Sequence, residues 1–148
     1  MEINMSRRPS WDETWMSIAR TVADRSYDPR LKVGSIIVSK DNTRLLSLGY
    51  NGNYRGGPNE PDSLDPGQSG FIHAEVNSLI KCDYNFNQEK TMYLTHSPCP
   101  QCSKLIINAN IHRVVYENEY RNTEGIELIK SCGIEVIRFS DIIFKGET

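Results

Sequence analysis

Met92-Tyr93-Leu94-Thr95-His96-Ser97-Pro98-Cys99-Pro100-Gln101-Cys102 runs from a short apolar strand into a proline-flanked C-x-x-C. Cys102, Leu105, Ile106 and Ala109 then recur on one helical face, and Val114-Val115-Tyr116 reads as the next strand. A strand, a helix and a strand in succession imply a crossover and parallel pairing. The alternation continues downstream. Thr123 to Ser131 reads as a helix, Gly133 suits the left-handed position just past its end, and Ile134 to Ile137 reads as the last strand.

Upstream the pattern changes. Val33-Gly34-Ser35-Ile36-Ile37-Val38 and Leu45-Leu46-Ser47-Leu48-Gly49-Tyr50 are β-rich runs joined by the turn-forming Lys40-Asp41-Asn42-Thr43. They are expected to pair as an antiparallel hairpin, which makes the sheet mixed. Before them, Ser10 and Glu13 form an S-x-x-E capping box, with Pro9 ahead of it. Trp11, Trp15, Ile18 and Val22 follow on one helical face, and both tryptophans are expected in the core. Asp28-Pro29 ends that segment. A further helix should begin near His73, with Val76, Leu79 and Ile80 facing inward. The stretch from Asn51 to Gly70 is rich in proline and glycine and nearly free of apolar side chains. A long structureless loop of this kind inside a compact domain is usually functional or mobile.

The 148 residues suit one domain, taken as 1–148. Net charge is −2 and the pI about 5.9. Wrapping a nucleic-acid backbone needs a basic stripe, and none is visible beyond the pair Arg7-Arg8. A small anionic substrate needs only one or two cations. No run approaches the ~18 apolar residues of a membrane span. Met1 to Pro9 lack the apolar core of a signal peptide, so a cytoplasmic location is expected. In a reducing compartment a C-x-x-C binds metal or does redox work more often than it forms a structural disulfide.

Cys99 and Cys102 lie one helical turn apart, so both thiols can face one point. Pro98 and Pro100 fit a helix start, where partial positive charge favours the thiolate. His73 also lies at a predicted helix start, with Glu75 two residues on. A redox motif has no use for that His and Glu. Three protein ligands, His73, Cys99 and Cys102, leave a fourth zinc position for water, as in catalytic sites. Zinc lowers the pKa of such a water toward about 7, and Glu75 could shuttle its protons. A closed structural zinc knot would need a fourth ligand. The candidates His96, His112, Cys82 and Cys132 form no second C-x-x-C or H-x3-H unit, and Cys82 and Cys132 are expected to be buried or half-buried. A zinc-stabilised interaction module without catalysis is the reading from a different class.

H-x-E followed by P-C-x-x-C is the signature of zinc nucleobase deaminases. The flanks narrow the resemblance. Arg8-Pro9-Ser10-Trp11-Asp12-Glu13, Val33-Gly34-Ser35-Ile36-Ile37-Val38, Gly49-Tyr50-Asn51-Gly52, Thr95-His96-Ser97-Pro98-Cys99-Pro100-Gln101-Cys102 and Arg113-Val114-Val115-Tyr116 resemble segments of the deoxycytidylate deaminases, within the cytidine deaminase superfamily. The resemblance implies an α/β fold of three layers, α/β/α, with a five-stranded mixed sheet. It implies hydrolysis of dCMP to dUMP and ammonia by a zinc-activated hydroxide with Glu75 as proton shuttle. It also implies a homo-oligomer, commonly a hexamer, activated by dCTP with magnesium and inhibited by dTTP. By resemblance Asn51 holds the sugar or base, His96 sits beside the zinc pocket, Tyr120 approaches the phosphate side, and Arg30 or Lys32 contacts the phosphate. Some relatives carry a second zinc site, with Cys and His in the long loop. Asn51 to Gly70 holds neither, so one zinc per chain is expected. The loop also departs from the family text at Gly56-Gly57-Pro58-Asn59-Glu60. A related zinc deaminase acting on another cytidine, a guanine or an adenosine is the alternative within the same chemistry.

Overall fold

A computed structural model describes residues 7–142; most of the Met1–Pro9 stretch lies outside the described residues. Five strands form one sheet in the order β2-β1-β3-β4-β5. They are β1 (Gly34–Ser39), β2 (Leu45–Tyr50), β3 (Lys90–His96), β4 (Arg113–Asn118) and β5 (Glu135–Arg138). The hairpin pairs antiparallel, with Ile36 opposite Leu48. β1 also pairs antiparallel with β3, through Ile36 and Tyr93. β3, β4 and β5 run parallel, with Tyr93 beside Val115 and Val115 beside Ile137. The sheet is therefore mixed, and its parallel half begins at β3, as the strand-helix-strand reading expects.

Side chains alternate across a strand, so each strand feeds two cores. On one face Trp15, Met16, Ala19 and Val22 of α1 (Trp11–Ala23) pack on Ile36, Val38, Tyr93 and Val115. On the other, Ile37, Met92, Leu94, Val114 and Tyr116 meet Ile106 of α3 (Pro100–Asn108) and Ile126 and Ile129 of α4 (Glu124–Ser131). α2 (Ala74–Leu79) lies on this second face, over β1 and β2. The result is the three-layer α/β/α arrangement.

Local chemistry sets the element ends. Ser10 Oγ accepts the Glu13 N–H and Glu13 Oε1 accepts the Ser10 N–H, which closes the capping box. Asn42 takes the left-handed φ of +62° in the hairpin turn, and Gly133 takes +80° just past α4.

Three expectations are corrected. Trp11 is 55% exposed and stacks on Trp15 instead of entering the core. Ile80 is 72% exposed, and the buried face of α2 consists of Ala74, Glu75 and Ser78. That helix sits too close to the sheet for large side chains. Ser78 Oγ lies 2.7 Å from Ser35 Oγ, Ser47 Oγ donates to Ser78 O at 2.6 Å, and a Cβ on Gly49 would fall 2.5 Å from Ser78 N. Cys132 is exposed, while Cys82 is half-buried; all four cysteines are unpaired.

Candidate metal centre and substrate cleft

His73 is the N-cap of α2 and Cys99 the N-cap of α3. Both caps have extended backbone, but only the Cys99 side chain caps its own helix; the His73 ring makes no such bond. Cys99 Sγ accepts the Cys102 backbone N–H at 3.3 Å. His73 Nδ1 lies 3.2 Å from Cys102 Sγ and 3.6 Å from Cys99 Sγ. All three donor atoms fall within 4.8 Å of one another, and no other His, Cys, Asp or Glu among the described residues completes the cluster. His96, His112, Cys82 and Cys132 stand outside it, so the closed-knot arrangement finds no fourth partner among them.

The donor set fits zinc. A tetrahedral ion with zinc–nitrogen near 2.0 Å and zinc–sulfur near 2.3 Å needs N and S donors about 3.6 Å apart. One of the two thiols is also primed. Contact with Cys102 first, then with His73, lowers the Cys99 thiol to about 4 against the opposing effect of burial. The Cys102 thiol is pushed up by the neighbouring Cys99 and by burial. One thiolate is thus already favoured, and a divalent cation would favour the second. Gly125 lets the start of α4 close on this turn, because a Cβ there would lie 2.4 Å from Pro98 O and 3.0 Å from the Cys99 carbonyl carbon.

Glu75 is 4% exposed, one helical residue inside the His73 cap. Burial pushes its carboxyl up to about 7, against the pull of its own backbone N–H and of His73. A group at that value can both accept and return a proton near neutral pH.

His73, Glu75 and Cys99 open into a cleft of about 600 Å³. The rest of the lining comes from Asp28, Arg30, Leu31 and Val33, from Tyr120-Arg121-Asn122, and from Ser63, Asp65, Pro66, Gly67 and Ser69 of the long loop. Asn51 lines the cleft, and its amide is engaged on three sides. Oδ1 accepts the Val33 N–H at 2.8 Å, and Nδ2 donates to Leu31 O at 2.9 Å and to Asp28 Oδ2 at 3.1 Å. Tyr120 lines the cleft, and Glu75 and Cys99 are among the charges that act on its phenol, so it stands toward the metal end. Arg30 is exposed at the wall, whereas Lys32 is exposed and outside the lining. His96 also stays out of the lining and instead stacks on Tyr120. Sequence reasoning missed Asp28, Phe71 and Arg121. Arg121 follows Tyr120 directly, and a cation next to a suspected wall residue was the available signal.

The profile of the "Cytidine and deoxycytidylate deaminase zinc-binding region" matches residues 9–118. The deoxycytidylate deaminase of Mycobacterium phage D29 is 39% identical over 127 residues, covering 76% of this chain and 98% of the phage protein. The deoxycytidylate deaminase of Saccharomyces cerevisiae is 35% identical over 145 residues, but the chain spans only 46% of that longer protein and 90% of its own length aligns. Among solved structures, the dCMP deaminase of cyanophage S-TIM5 in complex with dCMP and dUMP superposes with a TM-score of 0.76 at 35% identity, covering 88% of this chain and 98% of the phage chain. The chain belongs to the cytidine and deoxycytidylate deaminase family.

Proposed function

We propose that this chain is a zinc-dependent dCMP deaminase, converting dCMP and water to dUMP and ammonia as a single catalytic unit over residues 1–148. The observation that carries the reading is a buried carboxyl, Glu75, held beside a His/Cys/Cys donor set at the floor of a nucleotide-sized cleft. The likeness to a phage enzyme that binds dCMP and dUMP supports the choice of substrate.

His73, Cys99 and Cys102 would hold one zinc. Bound there, it supplies Lewis acidity, the means of making a nucleophile from water at neutral pH. Glu75 takes the proton that water gives up as its oxygen bonds to C4 of the pyrimidine. It delivers that proton to N3, then takes the proton of the new C4 hydroxyl as the carbonyl forms and passes it to the amine as the C4–N4 bond breaks. One carboxyl can serve every transfer because burial raises its pKa to about 7. Asn51 shapes the sugar side of the cleft through the clamp on Asp28, Leu31 and Val33. Tyr120, backed by His96, covers the ring. Arg30 and Arg121 supply cations for the phosphate.

The proposal extends, on family resemblance, to a cytoplasmic homohexamer activated by dCTP with magnesium and inhibited by dTTP. No helix among the described residues is long and apolar enough to cross a membrane. The deciding experiment incubates purified protein with dCMP, cytidine, dCTP and guanine, each with and without dCTP plus magnesium or dTTP. Ammonia release from dCMP, selective over the others and lost on chelation, is the expected result. Turnover of another substrate alone would replace dCMP in the reading.

A further inference from the structure

β3 ends at His96, and the residues that follow deliver Cys99 and Cys102 to the donor cluster. The same segment also holds the facing wall of the cleft. Ser97 is fully buried. Its backbone N–H donates to Asn118 O at 2.8 Å, and its Oγ accepts the Tyr120 backbone N–H at 2.9 Å. Asn118 Nδ2 returns a hydrogen bond to Thr95 O at 2.8 Å. Three hydrogen bonds thus tie residues 95–97 to residues 118–120.

The side chains add a second tie. The His96 ring stacks on Tyr120, with centroids 5.7 Å apart and planes inclined by 29°. Thr95 Oγ1 accepts the Gly34 N–H at 3.0 Å and lies 2.9 Å from His96 Nδ1. His96 lines no part of the cleft, while Tyr120 does. Burial, then the negative charges of Glu75 and Cys99, push the Tyr120 phenol up, so it keeps its proton at neutral pH.

We propose that His96 and Ser97 are positioning residues for Tyr120, Ser97 setting its backbone and His96 its ring, so that one segment aligns both the metal-ligand turn and the wall that a bound pyrimidine meets. The inference rests on the dCMP reading for the identity of that pyrimidine. A packed ring pair contributes little to folding but fixes an angle, and small misplacements of a substrate wall are costly in catalysis.

The test compares wild type with His96→Ala, His96→Phe and Ser97→Ala. Steady-state kinetics on dCMP are measured beside equilibrium binding of dUMP and zinc content. His96→Ala and Ser97→Ala should raise KM for dCMP and Kd for dUMP together by about 5- to 10-fold, with zinc content unchanged. His96→Phe keeps a ring behind Tyr120 and should stay within about twofold of wild type. His96→Ala with both constants within about twofold of wild type would overturn the positioning role, as would a His96→Phe protein as impaired as His96→Ala. A wild-type protein that turns over no dCMP strikes the substrate reading instead, so the two failures are told apart by the control.

Discussion

The cleft has two sides built in opposite ways. Its floor, from His73 to Glu75 and from Ser97 to Cys102, consists of helix caps at the ends of regular elements, packed on the central sheet. Part of its outer wall comes from the loop Asn51 to Gly70, which has no helix or strand of its own. That loop is a chain of local turns: Gly57 N–H to Tyr54 O, Gln68 N–H to Asp65 O, and Asp62 N–H to Ser69 O. Gly56, Gly67 and Gly70 take positive φ in it, and a Cβ on Gly70 would fall 1.9 Å from Asp62 Oδ2. One isolated bridge, Gly52 to Ile72, ties its end to the helix that carries the acid. The contrast separates chemistry from selectivity. Atoms that break the C–N bond need angstrom placement and borrow it from the sheet, whereas the wall needs only to close around a sugar and phosphate.

The comparison breaks most severely at the floor. Cys99→Ala removes a donor and the Cys102 N–H acceptor at once. Bound zinc, counted by metal analysis, should fall well below one per chain, and dCMP turnover should vanish. Glu75→Gln sharpens the point, since the amide keeps the shape but cannot shuttle a proton. Zinc content should stay near wild type while kcat falls by about 10²- to 10⁴-fold. Survival of turnover would remove Glu75 from the mechanism.

Away from the cleft, Asp12 anchors α1 to the sheet. It accepts hydrogen bonds from Tyr93 Oη at 2.5 Å and Arg113 at 2.8 Å. Burial raises its carboxyl, but the contacts with Arg113 and Tyr93 outweigh it and hold the group below its ordinary value. A depressed folded pKa stabilises above the unfolded value, near 3.9, and that contribution disappears as pH falls through the folded value. Asp12→Asn should therefore cost about 1–3 kcal/mol in urea unfolding at pH 7. The gap from wild type should narrow below about pH 4. A gap independent of pH would assign the cost to packing alone.

The smallest expected effect lies in the wall. Replacing Asn59 to Pro66 by a glycine-serine linker of equal length should cost only about 1–2 kcal/mol of unfolding free energy, chiefly because losing Pro61 and Pro66 frees the unfolded chain. KM for dCMP should rise, while zinc content and the fold stay intact. A loss of several kcal/mol would show that the wall is structural after all.

This asymmetry also explains what was legible in the sequence. The strands are short β-rich runs, and α1, α3 and α4 carry period-3.6 apolar faces, so β1 to β5 and these three helices could be read directly. The donor set could be read because cap residues, prolines and spacing are local signals. α2 defeated the periodicity, since its contact with Ser35, Ser47 and Gly49 selects small residues and leaves Ile80 outside. Trp11 shares the face of Trp15 but lies in the first turn, where Trp15 covers the sheet and Trp11 covers Trp15. The clamp of Asn51 on Asp28 and Val33 joins residues far apart in the chain, and no local pattern encodes such a bond.

The donors at positions 73 and 102 have one more consequence, in the currency of polymer physics. An ion joining them closes a ring of about thirty residues, and fixing such a ring removes about 3–4 kcal/mol of chain entropy from the unfolded ensemble. α2 spans six residues, too short to persist alone in water. The same ion would therefore act as a cross-link for the shortest α-helix among the described residues, and loss of metal would loosen the element that carries Glu75.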